Sequence, residues 1–233
     1  MIAGVDGCPG GRWVVVTGTR PATAKHRIDL HDVSVVVDLG PLLQKVRDGH
    51  IDAVAIDMPI GLLADRSRTS DAAARKLLGP RRASVFPTPV RATLDATDYQ
   101  DACARSRNAF GKALSKQAFY LLDKIRDLDA LILPSDQDRV VEAHPELAFT
   151  RLHGDVVPSS KHTAHGQELR EHLLKTELDE DAVSRVLTSG AAPRLDLIDA
   201  MALVTTAARV ANGSEVRLGT DVDPTGKRAE VTY

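Results

Sequence analysis

The first apolar run, Ile2 to Asp6, is short and stops at a Gly/Pro cluster, Gly7-Cys8-Pro9-Gly10-Gly11. A second run, Arg12 to Thr17, follows at once, so the pair reads as a hairpin. A third strand is predicted within Arg27 to Val37, where Ile28, Leu30, Val33, Val35 and Val37 supply apolar and β-branched positions. Pro41 to Arg47 reads as a short helix, with proline early and Asp48-Gly49 as its stop. Ala53-Val54-Ala55-Ile56 is unbroken apolar sequence, as in a central strand covered on both faces, and it runs into Asp57-Met58-Pro59.

From about 66 to 133 the period changes to that of helices, and this stretch reads as a helical insertion after the fourth strand. Ser70 to Gly79 carries a cap candidate, strong helix formers and a terminal glycine. Phe86-Pro87-Thr88-Pro89 interrupts it, because each proline restricts itself and the residue before it. Lys116 to Leu128 places Phe119, Leu122, Ile125 and Leu128 on one stripe. A fifth strand is expected at Arg139 to Ala143, then a helix begun by Pro145 and running to Leu152. Gly154 to Ser160 reads as a loop, Gln167 to Leu174 as a helix, and Pro193 to Ala211 as the last long helix, stopped by Asn212-Gly213. A short terminal strand is expected at Ala229 to Tyr233. Three antiparallel strands followed by alternating helices and strands make one α/β domain over residues 1–233, a mixed five-stranded sheet flanked by helices.

Composition narrows the classes. With 233 residues, 43% hydrophobic and 27% charged, the chain has ordinary globular values. No apolar run approaches the roughly 20 residues that span a bilayer, so no membrane partner is expected. Met1 to Asp6 lacks the basic and apolar regions of a secretory signal, and the two cysteines, Cys8 and Cys103, lack metal-ligand spacing. Reduced thiols in a cytoplasmic protein are the expectation. The net charge of −2 removes the argument for a uniformly basic nucleic-acid binder, and 3% aromatic residues supply a stacking platform poorly. Basic residues concentrate between 66 and 116, so a nucleic-acid or nucleotide partner would be held through phosphates.

The candidate chemistry lies in the carboxylates. Asp6 closes an apolar strand beside glycines, Asp57 ends the most hydrophobic one, and Glu142 interrupts Val140-Val141-Glu142-Ala143. Asp196 and Asp199 are three apart on a helix and share a face. A buried carboxylate is costly unless paired or bound to metal. Carboxylates without a matching Cys or His set suit Mg²⁺ or Mn²⁺, and two such ions can drive phosphodiester hydrolysis. Four of these acids have a plainer role as well: Asp6 and Asp57 as turn residues, Glu142 as the partner of a buried arginine, Asp196 as a first-turn helix acid; Asp199 lies further inside the helix and is less easily explained that way.

Gly4-Val5-Asp6-Gly7 with its Gly-Gly-x-Trp strand start, Ile56-Asp57-Met58-Pro59-Ile60-Gly61-Leu62, and Phe86-Pro87-Thr88-Pro89 form an ordered set. It continues through Ser115-Lys116-Gln117, Val141-Glu142-Ala143-His144-Pro145-Glu146, Ser160-Lys161 and Asp196-x-x-Asp199-Ala200. This set resembles the domain of unknown function 429 family, predicted nucleases of the ribonuclease H-like fold. The resemblance implies a ribonuclease H-like sheet, with Asp6, Asp57, Asp196 and Asp199 at the metal-binding positions of ribonuclease H and the Holliday-junction resolvases. Glu142 has no firm counterpart there and stands as a ligand or water-orienting group. His144 and Glu146 are accessory acid/base candidates.

Arg81, Arg82, Arg91, Lys116 and Lys161 are the candidate phosphate contacts. The leading reading is a two-metal, Mg²⁺- or Mn²⁺-dependent nuclease. The fold class also includes actin-like sugar kinases and ATPases, and Asp6 to Gly11 and Asp57 to Gly61 could pass for their two phosphate turns. A homodimer would have to supply the second core of such an enzyme, which keeps a phosphotransferase or ATP-binding protein as the alternative. A non-catalytic interaction module on the same fold is the third reading.

Overall fold

The structure, a computed structural model, describes residues 1–20 and 27–233. Its elements in chain order are β1 (Ile2–Cys8), β2 (Arg12–Thr19), β3 (Asp29–Val36), α1 (Gly40–Arg47), β4 (Ala53–Ile56), α2 (Thr69–Leu78), α3 (Tyr99–Phe110), α4 (Lys116–Leu131) and β5 (Val140–Glu142). They continue with α5 (Pro145–His153), α6 (Ala164–Glu177), α7 (Glu180–Thr188), α8 (Arg194–Asn212), β6 (Arg217–Val222) and β7 (Arg228–Thr232). The main sheet has the order β3-β2-β1-β4-β5. The pairs β1–β2 and β2–β3 are antiparallel, whereas β1–β4 and β4–β5 are parallel. This is the mixed five-stranded, helix-flanked sheet that the sequence pattern predicts.

Alternation along the strands divides the core in two. Ile2, Val14, Val16, Ala53, Ala55, Val141 and Ala143 face α5, α6, α7 and α8. Ala3, Val5, Val15, Val54, Ile56 and Val140 face α1, α3 and α4. Parallel β4 and β5 require a crossover, and α4 supplies it by laying Ala118, Leu122, Ile125 and Leu128 on the second face. Short 3₁₀ turns at Gly79–Ser84 and Arg91–Asp95 separate α2 from α3.

Two details differ from the expectation. The terminal strand pairs with β6 in a separate two-stranded sheet, touching the main one through an isolated Ala143–Thr232 bridge. Neither β6, with its Gly219 bulge and partly polar sequence, nor α7 has a sequence signal as plain as those of the main strands. Among the described residues no helix is long and apolar enough to cross a membrane.

Candidate active site

Pairing of Val5 with Ile56 sets β1 and β4 side by side in parallel, so Asp6, still paired with Val14 of β2, and Asp57, just past the end of β4, stand side by side where the β1–β4 ladder stops. The Asp57 N–H donates to the Val5 carbonyl over 2.9 Å and fixes that juxtaposition. Asp6 shares parity with Ile2 and Gly4, and Asp57 with Ala53 and Ala55, so both turn to the α8 face. Gly4 lets α8 approach: a Cβ there would stand 2.2 Å from the Ala200 carbonyl oxygen and 2.5 Å from the Val204 nitrogen. The N-terminal part of α8, with Asp196 and Asp199, therefore lies over the ends of β1 and β4.

Electrostatics register the convergence. Burial first, then the charges of Asp57, Asp199 and Asp196, push the Asp6 carboxyl well above the usual range, against the pull of Lys161. Burial also raises Asp57, whose carboxyl is within hydrogen-bonding reach of Asp6. Asp196 is raised by burial, opposed by Lys161 and Lys124. Asp199, only 3% exposed, is pushed up to about 6 by burial and by Asp57 and Glu146, with Lys161 opposing. Asp6 Oδ1 accepts from the Gly7 N–H over 2.8 Å, whereas Asp199 Oδ1 and Asp196 Oδ2 are buried without a partner.

Lys161 is held in place by a buried frame. Its Nζ donates to Asp199 Oδ2 over 2.5 Å. Arg170, fully buried, donates to both Glu146 oxygens over 2.7 and 2.8 Å and to the Ser159 and Gly166 carbonyls over 3.0 Å. A Cβ on Gly166 would lie 1.8 Å from the Ser160 carbonyl oxygen, so that glycine seats the Lys161 loop on α6. Glu146 thus has both carboxylate oxygens engaged by Arg170. His144 caps α5: its Nδ1 accepts the Glu146 N–H, which leaves Nε2 to donate to the Ser84 carbonyl over 3.2 Å. It stands near enough to Asp57 to favour that carboxylate's charged form when protonated.

Glu142 alternates with Val141 and so takes the Val140 side of the sheet, opposite to the face the aspartates use, while lining the same small cleft as Asp57. Both its oxygens are engaged by Arg68 at 2.6 and 2.7 Å, and Oε2 also accepts the Ile60 N–H. Arg68 further binds Asp71, whose carboxylate accepts from the Thr88 N–H over 2.9 Å. The reading of Glu142 as a ligand or water-orienting group is thereby corrected: it ties α2 and the Phe86–Pro89 loop to the sheet, as partner of a buried arginine.

The other basic candidates separate in the same way. Arg81 donates to the Val157 and Pro158 carbonyls, and Arg91 is paired with Asp129 and Asp223. Their role as phosphate contacts gives way to structural bonding. Lys116 is an exposed first-turn residue of α4. Arg82 is exposed and lines an open groove of about 490 Å³ with Ser67, Arg75 and Lys76. That groove shares Arg68 and Asp71 with a smaller cleft reaching Asp57 and His144.

Lys124 also stands beside the cluster, a position that its sequence context does not announce. Its Nζ donates to the Cys8 and Arg12 carbonyls, rests 4.6 Å from the Trp13 ring centroid, and feels the charges of Asp6 and Asp196. A lone lysine on the polar side of a helix carries no signal of that position.

A hard divalent cation fits this donor set: the groups are carboxylates, they repel one another, and two buried oxygens are unpartnered. Among the described residues no three carboxylate, imidazole or thiol groups already stand at ligating separations. The charge of the cluster is met instead by the Lys161 ammonium.

The profile of the family described as protein of unknown function (DUF429) matches residues 4–223. A solved structure of Thermus thermophilus RuvC is similar at 14% identity over 91% of this chain and 96% of that one, with a TM-score of 0.39. No curated protein matches.

Proposed function

The chain belongs to the DUF429 family, and for it we propose divalent-metal-dependent hydrolysis of phosphodiester bonds in a nucleic acid, with Mg²⁺ or Mn²⁺ as cofactor. The observation that carries this reading is the gathering of Asp6, Asp57, Asp196 and Asp199, from two adjacent parallel strands and one helix, with buried oxygens left over. When bound, a divalent cation supplies Lewis acidity to a phosphoryl oxygen and to an attacking water. Asp6 and Asp57 would hold it from the sheet and Asp199 from α8, while Asp196 would orient the attacking water. Lys124 and Lys161 add positive charge toward the scissile phosphate. The groove lined by Lys76 and Arg82 takes the flanking phosphates, in place of Arg81 and Arg91.

The phosphotransferase reading has less support. Its second phosphate turn would need free backbone donors, but the Ile60 N–H goes to Glu142 and the Leu62 N–H to Asp223. Gly61 adopts φ +80°, and a Cβ there would meet the Arg228 carbonyl oxygen at 2.8 Å, so it serves packing against β7.

The test is incubation of wild type and Asp6→Asn with single-stranded and duplex DNA and RNA, with Mn²⁺, Mg²⁺ or EDTA. Cleavage that needs the metal and falls at least about 100-fold in Asp6→Asn supports the assignment. Metal-independent cleavage, or equal cleavage by both proteins, refutes it.

A further inference from the structure

Resting on that reading of the site, we infer that the Lys161 ammonium is a permanent cation of the catalytic cluster, standing in for one of two divalent ions, so that the chain binds a single divalent cation.

The charge of Lys161 reaches all four aspartates, lowering Asp6, Asp57, Asp196 and Asp199 alike. The other cations near the cluster act more narrowly: among these four acids' influences, Lys124 acts on Asp196 and His144 on Asp57. Lys161 thus touches Asp199 directly and is the cation whose charge bears on all four acids.

An ordinary surface lysine is a mobile, strongly hydrated point charge whose ordering costs entropy. Lys161 differs because its loop is built. The fully buried Arg170, clamped on both oxygens of Glu146, grips the Ser159 carbonyl, and Gly166 receives the Ser160 backbone at a distance no side chain would allow. An ion pair buried this deeply gives little net stability, and its best-attested use is to specify one geometry. Here the geometry specified is that of Lys161.

Oxygen accounting points the same way. Lys161 takes Asp199 Oδ2 at 2.5 Å and leaves Oδ1 of the same carboxylate buried and unpartnered. One carboxylate thus serves the ammonium with one oxygen and keeps the other for a second cation. Four carboxylates facing one ammonium and one divalent ion retain a single negative charge. Two divalent ions beside a fixed ammonium would make the site positive before any phosphate arrived.

The experiment is a Mn²⁺ titration of the full chain, followed by loss of the free-ion electron paramagnetic resonance signal and by calorimetry, without substrate. Wild type is expected to bind one Mn²⁺, and Lys161→Ala and Lys161→Gln two. Two ions in wild type, or one in both variants, overturn the inference while leaving the hydrolase reading intact. No Mn²⁺ bound by wild type overturns the hydrolase reading itself, and the inference falls with it. If either variant fails to fold, the wild-type count and the other variant still decide.

Discussion

Gly4 of β1 lies directly under Ala200 of α8, so close that a Cβ on the glycine would fall 2.2 Å from the Ala200 carbonyl oxygen. That contact sets how near the helix carrying Asp196 and Asp199 can come to the strand carrying Asp6. A methyl group has no room there, because the obstacles are backbone atoms.

Gly4→Ala is accordingly expected to lower stability by about 2–3 kcal/mol, the upper part of the range for overpacking. It should also weaken Mn²⁺ binding by lifting α8 from the sheet. Thermal melts and Mn²⁺ titration of the same sample check both. Unchanged affinity would separate the spacing from the site.

Asp6→Asn is expected to stabilise the metal-free protein and raise its melting temperature, because it removes a buried charge among like charges. The same substitution should abolish stabilisation by Mn²⁺. A melt with and without metal reads both effects.

The four raised carboxyls give the pH dependence its sign. For an acid whose folded pKa is raised, the native state holds the proton more tightly, so its stability contribution is full below the unfolded value and is lost as pH rises through the folded one. For Asp199, raised from 3.8 to about 6, the loss falls in that window. Metal-free protein should lose this contribution between about pH 4 and 6, and Mn²⁺ should restore stability above it. Since ligands must be ionised, Mn²⁺ affinity should fall about tenfold per pH unit below about 6 for each coupled proton. Melts and titrations at half-unit pH steps measure both trends.

Glu142→Gln tests the corrected role of that residue. Breaking a buried ion pair on one side costs about 3–5 kcal/mol, so a large drop in melting temperature is expected. Below the melt, Mn²⁺ stoichiometry should match wild type. Lost metal binding with intact stability would restore Glu142 as a ligand.

How legible the molecule is in its sequence depends on the kind of signal. Strands β1, β2 and β4 are continuous apolar runs bounded by glycine and proline, and the stripe of α4 has a clear period, so the sheet and its crossover can be read directly. β6 cannot, because its sequence, Arg217-Leu-Gly-Thr-Asp-Val222, is stabilised by a distant partner rather than by its own pattern. The aspartates are legible as acids in apolar contexts, but the same rule draws in Glu142. What removes Glu142 is strand parity, which depends on which residue of β5 pairs with Ile56. Arg81 and Arg91 look like free cations until the carbonyls and carboxylates that occupy them come into place. The difference between Arg91 and Arg82 is one of folded neighbours, not of sequence.

The most direct measurement is a crystal of the wild-type chain grown with Mn²⁺ and recorded at the manganese absorption edge. An anomalous peak is expected among Asp6, Asp57 and Asp199, beside the Lys161 ammonium. No peak at that cluster, or a peak on Glu142 instead, would contradict it.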